Sequence, residues 1–220
     1  MAHYEGREEI ATRFRRLYTP VVCDILDSLG YRNQFLRYDI RPLDPSHAIY
    51  GWAYTMQAVV SDERPALPYQ KQFEGTDRLE PGDVLVVGGA GTSTAFWGEL
   101  FSTRARIRGA VGAVIDGLCR DTSKVIAMGF PVFSRGRIPA DSYGRLIVTA
   151  YGNPVECGGV VVSPGDFVMG DADGVVIVPR ALISTVLEKA EFKAHTEDQV
   201  REALMRGESV ESVYQRYGVM

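Results

Sequence analysis

Two short apolar runs with a helix-length stretch between them constrain the fold of this chain most strongly. The runs are DVLVV (residues 83–87) and AVGAVI (residues 110–115), and both are typical of buried strands. GGAGTS after the first run predicts a glycine-rich loop, and the next residues predict a helix from roughly 94 to 108. We assign Ser93 or Thr94 as its cap, Ala95, Leu100 and Ile107 to its apolar side, and Asp116-Gly117 to a turn after the second strand. A strand–helix–strand unit of this kind is typical of α/β folds.

The rest of the chain places helices at both ends of a strand-rich centre. Thr19-Pro20 predicts a helix with Thr19 as N-cap, which ends at Gly30. Strand-like patterns recur from about residue 39 to 179, and a long helical region follows. No low-complexity linker divides the chain. We therefore expect a single α/β domain over residues 1–220, with N-terminal helices in 1–30, a strand-rich core in 39–179 and C-terminal helices in 180–220.

Composition excludes several classes of protein. The net charge is −4, and no motif that reads RNA or DNA is present, so we expect no nucleic-acid partner. The apolar runs are too short to cross a bilayer, and the charged N-terminus lacks the core of a signal peptide. Three dispersed cysteines without a CxxC pair are typical of a reducing compartment. We expect a cytoplasmic protein with no membrane partner.

Three charged residues form the candidate site. Glu99 lies near the N-terminus of the predicted helix, and after twenty intervening residues the pair Arg120-Asp121 follows the second strand. Because the helix and the returning strand cover similar lengths, Arg120 and Asp121 are expected near the helix N-terminus. Backbone N–H groups there suit a small carboxylate, and Arg120 suits a keto-acid or enolate oxygen. Asp121 could hold Mg²⁺, with Glu99 orienting a water molecule beside it.

The same stretch resembles the RraA-like family, which includes metal-dependent 4-hydroxy-4-methyl-2-oxoglutarate/4-carboxy-4-hydroxy-2-oxoadipate aldolases. The family's acid-x20-Arg-Asp pattern is present as Glu99, Arg120 and Asp121. The matching context covers nearly the whole chain: TPVVCDILDSLG, PGDVLVV, AFWGEL, GAVGAVIDGLCRD, GFPVFSRG, SPGDFVMGDADGVVIVP and RGESVESVYQRYG. The resemblance implies a β/β/α core of the swivelling-domain type. It also implies homotrimers or hexamers whose active sites lie at subunit interfaces.

The activity that the resemblance implies is specific. It is the cleavage of 4-hydroxy-2-oxo acids to pyruvate, with oxaloacetate decarboxylation as a companion activity and Mg²⁺ or Mn²⁺ as cofactor. Asp121 would be the metal ligand, Arg120 would contact the pyruvyl oxygen, and Glu99 would orient water at the metal. The backbone of Gly98, Glu99 and Leu100 would receive the substrate carboxylate. An acid from the neighbouring subunit's C-terminal helix assists in the family; Glu197 matches best, and Glu188, Glu191 and Glu202 stay open.

Several other interpretations compete with this one. RraA-like proteins also include regulators that bind a ribonuclease and need no acid–Arg–Asp group. VVGGAGTST is an incomplete dinucleotide fingerprint, because Thr94 stands where its third glycine would fall. Lys124 could in principle form a Schiff base, although a solvated charge is the simpler interpretation. Arg135 and Arg137 could reach the distal carboxylate of a dicarboxylic substrate, with surface arginines as the alternative.

Overall fold

The computed structural model describes the backbone of residues 2–220 and the side chains from residue 6 onward. Within this range the elements are, in chain order, α1 (Ala2–Phe14), α2 (Thr19–Ser28), β1 (Arg41–Pro42), β2 (Ile49–Val60), α3 (Gln70–Asp77), β3 (Asp83–Trp97), α4 (Glu99–Ile107), β4 (Gly112–Cys119), α5 (Thr122–Ala127), β5 (Val132–Arg137), β6 (Leu146–Tyr151), β7 (Val155–Cys157), β8 (Val160–Val162), β9 (Phe167–Asp171), β10 (Gly174–Val178), a 3₁₀ turn (Arg180–Leu182), α6 (Ile183–Met205) and α7 (Val210–Tyr217).

An eight-stranded mixed sheet forms the centre of the molecule. Its order is β1-β5-β4-β3-β2-β9-β10, and β6 pairs with the far end of β2. The four middle strands, β2 to β5, are parallel, whereas β1, β6, β9 and β10 pair antiparallel with their neighbours. The predicted strand–helix–strand unit is confirmed as β3–α4–β4, since β3 and β4 are adjacent and parallel. The α/β class predicted from the sequence is therefore correct.

Successive side chains of each strand point to opposite faces of the sheet, and this divides the core into layers. On β3, Leu85 and Val87 face the helices, whereas Val84 and Val86 face the small β7–β8 sheet, and all four are fully buried. Helices α1, α2 and α6 cover one end of the helical side of the sheet, where Phe14 stacks on Phe167 with ring centroids 4.3 Å apart. The result is a helix layer, a large sheet and a small sheet, which agrees with the expected β/β/α core.

The predicted helix over residues 94–108 is wrong at its start. Strand β3 continues to Trp97, and α4 begins only at Glu99. Thr94 caps no helix, because its hydroxyl donates to the carbonyls of Ala140 and Asp141. The cause is burial: the run TAFW is buried on both faces, so its sequence has no periodicity that distinguishes a strand from a helix.

Other local predictions also need correction. Asp116 and Gly117 lie inside β4 and form no turn. The glycine-rich segment GGAGTS belongs to β3, which pairs irregularly with β4 there. Leu100 and Ile107 are 75% and 73% exposed, so they face away from the core of this chain. The N-cap of α2 is Tyr18, one residue earlier than predicted, because Thr19 instead donates through its amide and hydroxyl to Asp171.

None of the helices within residues 2–220 combines the length and the apolar character needed to cross a bilayer.

Candidate active site

The charged residues predicted to converge do lie together, at the carboxyl ends of β3 and β4. Trp97 and Cys119 are paired at the ends of these strands, and the Arg120 amide donates to the Trp97 carbonyl at 2.9 Å. The residues just beyond each strand are therefore neighbours, and the Glu99 amide donates to Asp121 Oδ2 at 3.4 Å. The carboxyl edge of parallel strands is the usual place for a ligand in open α/β sheets.

Gly98 permits this close approach. A Cβ atom built on Gly98 would lie 2.8 Å from Asp121 Oδ2 and 3.2 Å from Arg120 Cγ. Its φ of −161° is ordinary extended backbone, so the requirement for glycine is one of space and not of conformation. A side chain at this position would displace the Asp121 carboxylate.

Arg120 is held by a second acid that the sequence analysis missed. Its Nη1 lies 3.0 Å from Asp141 Oδ1, and its Nε lies 3.7 Å from Asp121 Oδ2. Asp141 also accepts hydrogen bonds from the Tyr69 hydroxyl and the Tyr143 amide. Because the Arg120 and Asp141 side chains are 39% and 36% exposed, this pair contributes orientation more than stability.

The pKa values of the supporting residues follow from this network. Partial burial opposes ionisation of Asp141, but the Tyr69 hydroxyl, the Tyr143 amide and Arg120 outweigh it and hold the pKa of Asp141 below its ordinary value. Burial and the bond to Asp141 raise the pKa of Tyr69 to about 12. At neutral pH Tyr69 is therefore a neutral donor to a charged Asp141.

Backbone strain is concentrated at the same place. Within the described chain, Tyr69 (φ 60°) and Asp121 (φ 55°) are the two non-glycine residues with positive φ. Such residues occupy a sparsely populated region, and they persist where the surroundings hold them for function. Both of them line the cavity beside Arg120.

That cavity measures about 570 Å³, which is within the range of small-molecule sites. Helices α3 and α4 form one side of it. Its lining is Tyr69, Phe73, Thr76, Asp77, Ala95, Phe96, Trp97, Gly98, Glu99, Leu100, Phe101, Arg104, Arg120, Asp121, Asp141 and Ser142. A shallower groove of about 400 Å³ shares Arg120 and Asp121 and contains Arg137. A larger cavity of about 840 Å³ lies beside α1, and neither Arg120 nor Asp121 lines it.

The other predicted site residues do not all line this cavity. Glu99 is half-buried at the start of α4, and its Oε1 accepts from the Thr103 hydroxyl at 3.1 Å. Leu100 lines the cavity from the first turn of α4. Glu197, on α6, does not line that cavity; it accepts from the Tyr18 hydroxyl and lies 3.8 Å from Lys193. Burial raises the pKa of Glu197.

A divalent metal fits this site through Asp121 alone. The described residues contain no group of three His, Cys, Asp or Glu side chains that could enclose a metal. Mg²⁺ does not require one, because it commonly takes one or two carboxylates and keeps several waters. Asp121 suits this role, since its side chain is 42% exposed and, among the residues that the structure describes, its Oδ2 has only the long contacts of 3.4 and 3.7 Å.

The basic residues considered in the sequence analysis divide into two kinds. Arg135 is committed to Asp39 at 3.1 Å and to Asp116 at 3.5 Å, so it is a structural side chain. Arg137 is exposed and donates to the Leu43 carbonyl at 2.8 Å. Lys124 is exposed on α5.

Tyr69 and Asp141 had no sequence signal of comparable strength. Tyr69 lies in a polar stretch that contains α3, a helix that sequence patterning did not predict. Asp141 follows β5 by four residues in a loop. The available signal was the aspartate in IPADSYG, and a single loop aspartate is too common to be informative.

Comparison with known proteins gives a consistent result. Residues 19–177 match the family model RraA-like: Aldolase/RraA. A protein of Halalkalibacterium halodurans, provisionally named 4-hydroxy-4-methyl-2-oxoglutarate aldolase, is 35% identical over 198 residues, which cover 88% of this chain and 87% of that protein.

Solved structures show the same fold. An uncharacterized protein from Pseudomonas syringae pv. tomato is similar with a TM-score of 0.84 and 28% identity, covering 96% of this chain and 94% of that one. Streptomyces coelicolor RraAS2, described as an unusual member of the RNase ES inhibitor RraA protein family, is similar with a TM-score of 0.81 and 30% identity. The match covers 88% of this chain and 97% of RraAS2.

Proposed function

The chain belongs to the RraA-like family of aldolases and RraA proteins, and we propose that it is a divalent-metal-dependent lyase that cleaves a 4-hydroxy-2-oxo acid to pyruvate. One observation carries this proposal: Arg120 and Asp121 meet the Gly98–Glu99 segment in the lining of a cavity of about 570 Å³. The relative from Halalkalibacterium halodurans supports the aldolase branch of the family.

The chemistry requires stabilisation of negative charge on the substrate's C2 oxygen. When the proton of the C4 hydroxyl leaves, C4 becomes a carbonyl, and the electron pair of the C3–C4 bond passes into the enolate of pyruvate. The enolate then takes a proton at C3. A divalent ion bound to Asp121 would polarise the C2 carbonyl as a Lewis acid.

The protein's own residues have separate roles in this proposal. One guanidinium N–H of Arg120 is taken by Asp141, which leaves others for the carboxylate and the C2 oxygen of the substrate. Asp141 and Tyr69 position that guanidinium before substrate arrives. Glu99 has one oxygen on Thr103, and its other oxygen can hold the water that accepts the C4 proton.

Oxaloacetate decarboxylation uses the same arrangement. Carbon dioxide leaves C3 in place of the aldehyde or ketone, and the same enolate is protonated to pyruvate. Oxaloacetate therefore tests the enolate-stabilising part of the site alone, because its C4 is the carboxylate that leaves and carries no further carbon substituent.

The decisive experiment measures pyruvate release from oxaloacetate and from 4-hydroxy-4-methyl-2-oxoglutarate. It is run with Mg²⁺, with Mn²⁺ and with EDTA, and then on Asp121→Asn, Arg120→Lys and Lys124→Ala. We expect activity only with metal, and losses of about 100-fold or more for the first two variants. Lys124→Ala should match the wild type; trapping by borohydride that is lost in Lys124→Ala would replace the metal mechanism with a Schiff base.

A regulator that binds a ribonuclease is the second candidate, supported by the likeness to Streptomyces coelicolor RraAS2. A binding surface does not need the metal ligand. No turnover of either substrate, together with ribonuclease binding that Asp121→Ala leaves unchanged, would favour the regulator.

Assembly into a homotrimer or hexamer, with Glu197 donated by a neighbouring subunit, is part of the proposal. Glu197→Gln and Arg120→Lys subunits, each inactive alone, should recover part of the activity when mixed and reassembled, because one kind of interface then holds both intact residues. Light scattering gives the subunit number. No recovery in verified mixed oligomers would place Glu197 outside the site.

A further inference from the structure

One wall of the cavity is a continuous series of aromatic rings. The ring centroids of Tyr69 and Phe73 are 5.8 Å apart, those of Phe73 and Phe101 are 5.9 Å apart, and those of Phe101 and Trp97 are 5.4 Å apart. These spacings are typical of favourable aromatic pairs, so the rings support one another as a surface. Phe73 is 46% exposed, and its free face is available to a ligand.

The charge balance of the same cavity disfavours a second substrate carboxylate. Two guanidiniums line it, and each already faces an acid: Arg104 Nε lies 2.5 Å from Asp77, and Arg120 lies 3.0 Å from Asp141. Arg120 is the group proposed to hold the oxo-acid end. The described lining contains four carboxylates against these two cations: Asp77, Glu99, Asp121 and Asp141.

We infer that the cavity accepts a 4-hydroxy-2-oxo acid whose C4 substituent is uncharged and apolar or aromatic. This inference rests on the proposed function and narrows the preferred substrates of its aldol cleavage to acids with a single carboxylate. The departing product is then an uncharged aldehyde or ketone: the C4 hydroxyl loses its proton, C4=O forms, and the C3–C4 electron pair leaves with the pyruvate enolate, which takes a proton at C3. No oxidant or reductant takes part.

The shallower groove, which shares Arg120 and Asp121 with the cavity, favours the opposite substrates. Arg137 lies there, exposed and bound only to the Leu43 carbonyl among the described residues. A substrate with a distal carboxylate would extend into this groove, toward Arg137. The two grooves therefore predict opposite responses to substitutions at Phe73 and at Arg137.

The test compares kcat/KM for 4-hydroxy-2-oxo-4-phenylbutanoate and for 4-hydroxy-4-methyl-2-oxoglutarate. We expect the wild type to prefer the phenyl substrate by about 10-fold or more, since apolar groups in a fitted apolar pocket commonly discriminate on that scale. Phe73→Ala should lose about 10-fold on the phenyl substrate and less than about 2-fold on the dicarboxylate. Phe73→Leu, which keeps an apolar surface, should retain most of the preference, and Arg137→Gln should leave it unchanged.

The opposite pattern overturns the inference. A preference below about 3-fold, or a dicarboxylate preference that Arg137→Gln removes and Phe73→Ala does not, places the C4 substituent in the Arg137 groove.

A binding measurement separates this inference from the proposed function. The non-cleavable acids 4-phenyl-2-oxobutanoate and 2-oxoglutarate both extend beyond C3, but only the second carries a distal carboxylate. With the metal present, calorimetry should give tighter binding of the phenyl acid in the wild type and equal affinities in Phe73→Ala. If no aldol is cleaved, the proposed function fails. The inference about the pocket is then tested by binding alone: tighter binding of the phenyl acid supports it, and tighter binding of 2-oxoglutarate contradicts it.

Discussion

Replacing Gly98 by alanine tests the site through a single methyl group. The new Cβ would lie 2.8 Å from Asp121 Oδ2, about 0.6 Å short of an ordinary contact of 3.4 Å, and 3.2 Å from Arg120 Cγ. The carboxylate must therefore move by roughly this amount. A misplacement of about 1 Å can cost about 100-fold in rate, so we expect kcat/KM to fall by about 10- to 100-fold, which is about 1.4 to 2.7 kcal/mol in activation free energy.

Stability should respond much less than activity in Gly98→Ala. The φ of −161° suits alanine, and the loss of freedom in the unfolded chain contributes about 0.4 to 1 kcal/mol in its favour, which offsets part of the crowding. We expect the Tm to stay within about 4 °C of the wild-type value. A large fall in activity without unfolding would then report on the position of Asp121.

The assay couples pyruvate release to NADH oxidation by lactate dehydrogenase, and calorimetry measures Mn²⁺ binding. Gly6→Ala is the matched control, because no atom of the described residues lies within 4 Å of a Cβ built at Gly6. It should keep full activity and gain about 0.5 to 1 kcal/mol of helix stability. If Gly98→Ala kept both kcat/KM and Mn²⁺ affinity within about 2-fold of the wild type, the argument that Asp121 must lie against residue 98 would be refuted.

Three further outcomes are expected. The hydrogen bond from Arg13 lowers the pKa of Glu191, so the stability it contributes is present above the ordinary value of 4.5 and is lost as pH falls through the lower folded-state value. Glu191→Gln should therefore cost about 0.5 kcal/mol in urea unfolding at pH 7 and progressively less as the pH falls below 4.5. Phe14→Ala removes a fully buried ring that stacks on Phe167, so it should lower the free energy of unfolding by about 3 to 5 kcal/mol and the Tm by roughly 10 °C. A decrease in the free energy of unfolding below about 1 kcal/mol would contradict this packing. Burial, and to a smaller extent two nearby aspartates, raise the pKa of half-buried Cys23. Native protein should therefore react slowly with DTNB, and at this one thiol. A fast reaction of several thiols would contradict the burial of Cys119 and Cys157.

Much of the candidate site could be predicted from sequence because its parts are close along the chain. The pattern Glu99-x20-Arg120-Asp121 spans one strand–helix–strand unit, and adjacent parallel strands bring the residues beyond their carboxyl ends to the same edge of the sheet. Arg120 and Asp121 lie where the chain lengths predicted, although the helix is shorter than predicted. Helix α4 has nine residues instead of about fifteen, and it is the pairing of Trp97 with Cys119 that sets the position.

The parts that sequence could not supply depend on contacts between distant segments. Tyr69, Asp141 and Arg120 come from three separated stretches, and no local pattern links a loop aspartate to a tyrosine seventy-two residues before it. The boundary of β3 is of the same kind, since a run buried on both faces has no periodicity to distinguish strand from helix.

The sequence by itself determined the α/β class, the alternation of the strands and the charged residues just beyond β3 and β4, because these depend on local periodicity and on chain connectivity. The tertiary structure alone decided the surroundings of Arg120: the strained Tyr69, the acid at Asp141 and the aromatic wall that ends at Trp97. The physical reason is that burial, close approach and charge pairing are properties of surfaces brought together by packing. They take effect only when helices α3 and α4 lie against the end of the sheet.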